Sequence, residues 1–195
     1  MRPIYFNVIN IWLLVFLASC NDPDHQYKSL VNNELKSGRK VDSIFFDIKF
    51  GMPSKDFYLY CWNMNKKGIF TDGVNNQYVL YKLPKGELKF PATMNFYPDF
   101  YNGKIVAMRV LYQYDAWAPW NKQLFADSLI LDVLHMYQHN YKNGNPFIHI
   151  HDDNRGDIYV KVDGNRRIVI GKNNDMVVKA DFTDLITEEE LKHAK

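Results

Sequence analysis

Lys104-Ile105-Val106-Ala107-Met108-Arg109-Val110-Leu111-Tyr112-Gln113-Tyr114 is the stretch from which the fold can be read. Val106, Met108, Val110, Tyr112 and Tyr114 alternate with Ala107, Arg109, Leu111 and Gln113, the two-residue period of a half-buried strand. Asn102-Gly103 stands just before it, the dipeptide best suited to a tight hairpin, so a partner strand is expected around Met94 to Tyr97. Just after it the pattern changes to helical. From about Asn121 to Lys142, Phe125, Leu129, Ile130, Val133, Leu134, Met136, Tyr137 and Tyr141 fall on one stripe, and Asn143-Gly144 ends the run.

Upstream, Ile44, Phe46, Ile48 and Phe50 alternate with Phe45, Asp47 and Lys49 and read as another strand. Gly51-Met52-Pro53 breaks it. Ser54 then opens a helix whose stripe is Phe57, Tyr60, Cys61 and Met64, and a strand follows at Tyr78 to Leu83. Downstream, Phe147 to His151, Ile158 to Val162, Ile168 to Ile170 and Met176 to Phe182 form a meander, turned at Asp163-Gly164. Thr187 and Glu190 form a capping box for a short terminal helix. The order β-α-βββ-α-ββββ predicts an α+β fold, an antiparallel sheet with two main helices packed on one face. Each half reads as a helix plus a meander, the layout of a diverged tandem repeat, without residue-level self-similarity.

The 195 residues are 47% hydrophobic, 24% charged and 15% aromatic, which excludes wholesale disorder and allows one sizeable core. A formal charge of +2 gives no ground for nucleic-acid binding, and two cysteines cannot build a disulfide scaffold. The chain divides into a leader at 1–19, a cysteine and flexible tether at 20–40, and a single α+β domain at 41–195. The leader has Arg2 near its start and an apolar run densest from Ile11 to Ala18, too short to span a bilayer and suited to a secretory signal peptide.

That run ends Leu17-Ala18-Ser19-Cys20, which resembles the lipobox of bacterial lipoproteins at all four positions. The resemblance implies that the Cys20 thiol takes a diacylglyceryl group, that the leader is cut, and that Cys20 becomes an acylated N-terminus carrying chains such as palmitate. It also implies a membrane anchor in the cell envelope. Asn21, rather than aspartate, follows the cysteine, which favours the outer membrane over the inner. The body, with Phe50-Gly51-Met52 leading into a helix, loosely resembles small envelope lipoproteins of the outer-membrane assembly and β-lactamase-inhibitor-like type.

No nucleophile elbow, phosphate loop or metalloprotease signature occurs, so no catalytic residue, cofactor or metal is expected. His135 and His139 lie one helical turn apart beside Asp132, and His149 and His151 follow on a strand. With Ile148 and Ile150 facing the core, the sheet would separate the two histidine pairs. Cys61 sits on a buried stripe and reads as a small apolar residue. Two surfaces remain as binding candidates. Trp117 and Trp120 flank Pro119 in an aromatic loop that either forms a platform for sugar rings or packs over the end of the core. The far face of the sheet presents Asp47, Lys49, Arg109, Gln113, His149, His151, Tyr159, Lys161, Arg167, Lys179 and Asp181, more basic than acidic, with no helix to cover it. The sequence therefore points to a non-catalytic, lipid-anchored envelope protein binding a partner or ligand through that face or loop. A glycan-binding accessory lipoprotein is the alternative. An envelope hydrolase whose site assembles only in three dimensions is the second alternative.

Overall fold

The computed structural model describes residues 23–73, 77–153 and 156–193; Cys20 and the leader lie outside them. In chain order the elements are α1 (Pro23–Lys36), α2 (Ser54–Lys66), β1 (Phe70–Asp72), β2 (Val79–Lys82), β3 (Ala92–Tyr101), β4 (Lys104–Tyr114), α3 (Ala126–Asn140), β5 (Ile148–Asp152), β6 (Gly156–Asp163), β7 (Arg166–Lys172), β8 (Val177–Asp184) and α4 (Leu185–His193). All eight strands join one open sheet in the order β1-β2-β3-β4-β8-β7-β6-β5, and every neighbouring pair is antiparallel. The chain is α+β. A helix followed by a four-stranded meander occurs twice, and the two meanders meet where β4 pairs with β8. Among the described residues no helix is long and apolar enough to cross a membrane.

The large core lies on one face. Met94 and Phe96 of β3, Met108, Val110 and Tyr112 of β4, Val178, Ala180 and Phe182 of β8 and Ile168 and Ile170 of β7 all pack there with Leu129, Val133 and Tyr137 of α3. Phe57 brings α2 into the same core, with Cys61 and Met64 half-buried beside it. The alternation expected of β4 holds from Met108 onward. At its start, Phe100 opposes Ile105 and Asp99 opposes Ala107, so Val106 is the extra residue of a β-bulge. The bulge hands the core position to Ile105, which is fully buried.

A second core lies on the opposite face. Ile148 and Ile150, Ile158, Val160 and Val162, and Leu185 pack there with Tyr27, Leu30, Val31 and Leu35 of α1. The segment read as a flexible tether is thus largely a fourteen-residue helix docked across β5 and β6. Its apolar residues recur at helical spacing, and burial against this sheet end stabilises a helix too polar to persist alone.

Two other local readings change. Residues 44–50 form a reversal rather than a strand: Phe46 and Asp47 adopt positive φ (50° and 62°), and the Ile48 N–H donates to the Phe45 carbonyl at 2.8 Å. The reversal buries Ile44, Ile48 and Phe50 and sets both phenylalanine rings on the core, which satisfies the same apolar pattern as a strand. The terminal helix is capped by Asp184, not Thr187: the Asp184 carboxylate accepts from the Ile186 N–H at 3.2 Å and from the Thr187 hydroxyl at 2.8 Å.

Candidate functional site

Two cores on opposite faces leave one part of the sheet uncovered by helices, the central strands on the side away from α3. Cross-strand register aligns its side chains in rows. Tyr97, Arg109, Asp181 and Val169 form one row across β3, β4, β8 and β7. Asn95, Leu111, Lys179 and Gly171 form the next, and Asp99, Ala107, Thr183 and Arg167 a third.

Charge on this face is paired. The Arg109 guanidinium holds Asp99 through both carboxylate oxygens, Nε to Oδ2 at 3.0 Å and Nη2 to Oδ1 at 2.8 Å. This bidentate contact raises the Arg109 pKa. Lys179 meets Asp181 at 2.8 Å. Burial pushes the Asp181 carboxyl above its usual range against the pull of Lys179 and Arg109, and its Oδ1 is buried with no partner among the described residues. At one end the Tyr58 hydroxyl from α2 meets the Tyr97 hydroxyl at 2.7 Å. That bond, with some burial, pushes Tyr97 up to about 12. Tyr58, Tyr78, Tyr97, Asp99 and Arg109 border an open cleft of about 550 Å³. Beyond Tyr58, α2 exposes Leu59 and Trp62, with the Lys66 ammonium 3.4 Å over the indole.

The sequence-derived candidates scatter around this face. Arg109 lies at its centre and is half exposed. Arg167 shares the face but is covered by α1 and α4, donating to Glu188 at 2.6 and 3.1 Å and to the Tyr27 hydroxyl at 3.1 Å. His149, His151, Tyr159 and Lys161 stand on the opposite side, the side of α3, because Tyr159 registers with the core residue Ile170. The expectation placed them outward because Ile148 and Ile150 face a core; that core is the second one, under α1, and its existence inverts the assignment. The same inversion puts both histidine pairs on one side of the sheet. Even so, among the described residues no group of three or more His, Cys, Asp or Glu side chains is arranged to hold a metal ion. His149 stacks on Tyr159 with ring centroids 5.0 Å apart, and His149 and His151 both meet Asp157, at 3.2 and 3.0 Å. The Asp157 contact raises the His151 pKa.

Trp117 and Trp120 do not share a surface. Trp117 packs on Phe125 with its Nε1 buried, while Trp120 is 85% exposed. Lys161 is buried rather than outward, inside a charged network with Asp163 and Arg166. Sequence reasoning missed Tyr58, Tyr97 and Asp99. Only Asp99 carried a usable signal, since the hairpin at Asn102-Gly103 sets it close to Arg109. Cys61 fits its core reading, and burial pushes its thiol up to about 12. Compared with protein-family models, curated proteins and solved structures, the chain finds no match.

Proposed function

We propose that this chain is a non-catalytic, lipid-anchored protein of the bacterial cell envelope that binds a protein partner through the uncovered central face of its sheet. The carrying observation is the tyrosine-bordered cleft around the Arg109–Asp99 pair, lined by Tyr58 of α2, the helix that also exposes Leu59 and Trp62. Tyrosine, tryptophan and arginine around an open recess are the residues that dominate binding energy at protein interfaces. Arg109, Lys179 and Arg167 are each matched by Asp99, Asp181 and Glu188, so the face is a balanced mosaic rather than a basic patch. A mosaic of that kind favours a folded partner of complementary pattern over a polyanion. The lipobox at Leu17-Ala18-Ser19-Cys20 supports anchoring, and Asn21 supports the outer membrane.

The test places a photocrosslinking amino acid at Gln113, on this face, and at Leu131, exposed on α3, in living cells. An adduct from Gln113 that is absent from Leu131 and lost on Arg109→Glu supports the reading. Adducts indifferent to position and to charge reversal defeat it. Radiolabelled fatty acid incorporated by the native chain and not by Cys20→Ser supports the anchor; equal label in both removes it.

A further inference from the structure

We propose that two copies of this chain pair edge to edge through β5, forming a two-fold dimer with one continuous sheet and the two α1 helices side by side. β5 ends the sheet, and no further strand pairs with its outer side among the described residues. Nor does any described loop or side chain bond to the outer backbone groups of Ile148, His149, Ile150 and His151. The other end of the sheet is closed. β1 is three residues long, lies against α2, and has its Phe70 carbonyl bonded by the Asn65 side-chain amide at 3.0 Å. Sheets blunt their edges with such short strands, or with lysine, proline or a bulge. β5 has five residues, Ile-His-Ile-His-Asp, paired to β6 in unbroken register, and none of these devices. Its histidines do not shield it either. His149 stacks on Tyr159 of β6, and His149 and His151 both reach Asp157 of β6, so the two rings lean inward from the edge.

The second core is left partly open at the same edge. α1 turns Tyr27, Leu30, Val31 and Leu35 into it, yet none of its residues is fully buried, whereas α2 and α3 each bury at least one. Because α1 lies across β5 and β6, its copy beside a second β5 would stand two strand spacings away, roughly 10 Å, the distance at which helices pack. Leu35 borders α4 together with Ile186, so the opposite flank of α1, with Gln26, Leu30 and Asn33, is turned to the open edge. Those three residues carry no charge. A two-fold axis sets each group near its own copy, so an uncharged flank suits a second copy of this chain, where a charged one would repel itself.

The alternation of β5 selects the register. Antiparallel pairing centred on Ile150 engages all five residues, with Ile150 against its own copy and His149 against the partner's His151. It keeps Ile148 and Ile150 of both copies beneath the α1 pair. A slip of one residue would set isoleucine against histidine and turn the apolar side chains of one copy to the wrong face. The two-fold axis runs normal to the sheet, so both α1 helices and both uncovered central faces stay on the same side. The dimer leaves the Arg109 face of each copy free, and it is independent of the partner-binding proposal.

The test expresses full chains bearing His149→Cys or His151→Cys, with different tags, singly and together in cells. A thiol crosslinker with a reach of about 5 Å, the separation of directly opposed side chains, is then added. Co-expression is expected to give an adduct carrying both tags, at least fivefold above the adduct of either variant alone, because positions 149 and 151 oppose each other only across the two-fold. Sedimentation of the purified native chain in density-matched detergent should give twice the monomer mass. Gln26→Glu with Asn33→Glu should weaken the dimer at least tenfold, and a chain with Gln26→Lys and Asn33→Lys should restore pairing with it. A monomeric native chain, an adduct that is absent or equal in single and mixed cells, or an adduct with a chain of another mass would each overturn the proposal. So would a dimer indifferent to the α1 charges. The native mass and the cysteine pairing decide it even if a charge variant misfolds.

Discussion

Two glycines show how one backbone requirement has different consequences. Gly103 (φ +71°) and Gly164 (φ +57°) both close hairpins in the left-handed region. Around Gly103 a methyl group would meet open space, whereas at Gly164 it would fall 2.2 Å from the Arg39 carbonyl oxygen. The Gly164 N–H also donates to the Glu34 carboxylate at 2.6 Å. Gly103→Ala should therefore cost only the left-handed penalty, roughly 1 kcal/mol. Gly164→Ala adds a backbone clash and should cost about 3 kcal/mol. Denaturant unfolding of both variants measures this, and equal losses would show that 39–41 does not pack on the β6–β7 turn. Both turns were legible from Asn102-Gly103 and Asp163-Gly164. The close approach at Gly164 was not, because the chain that meets it lies more than a hundred residues away.

At the level of elements, periodicity marked what lies inside but not which side it faces. The stripes of α2 and α3 were legible because each carries four or more apolar residues at helical spacing. In α1 Tyr27, Leu30, Val31 and Leu35 do so too, but they stand among polar neighbours after Asp22-Pro23-Asp24, and the segment read as a tether with at most a short helical turn. That one omission assigned Ile148 and Ile150 to the wrong core and placed Lys161 and the strand histidines on the wrong side of the sheet. The site suffered likewise: Arg109 was found from its own strand, while Tyr58 and Tyr97 meet only once α2 and β3 are in place. The docking of α1 has a direct consequence. Leu30→Asp removes an apolar contact and places a charge against the second core, so it should cost about 2 kcal/mol. The exposed Lys28→Asp should cost less than about 0.5 kcal/mol. If both variants unfold at the native midpoint, α1 does not hold the second core in solution.

Across the whole molecule, the large core is unusually rich in hydroxyl-bearing rings, and this couples its stability to alkaline pH. Burial raises the pKa of Tyr112, Tyr137, Tyr141 and Tyr114 above the ordinary tyrosine value, and lifts the Cys61 thiol to about 12. Each of these groups holds its proton more tightly folded than unfolded. Their contribution is therefore complete below the unfolded values, near 8.5 for cysteine and 10 for tyrosine, and is lost as pH climbs toward the folded ones. Stability should stay level from pH 7 to about 8.5 and then fall with increasing slope as the unfolded tyrosines begin to ionise. The tyrosinate absorbance of the four buried rings should emerge together with unfolding and not before it. Replacing Tyr112 and Tyr137 together by phenylalanine removes both members of one buried hydrogen bond and leaves neither partner unsatisfied, so the neutral-pH cost should be small. The same double variant should reduce the alkaline slope by up to about 2.7 kcal/mol per pH unit, the contribution of two protons. Free titration of all the tyrosines near pH 10 in a chain that remains folded would contradict the burial of this layer.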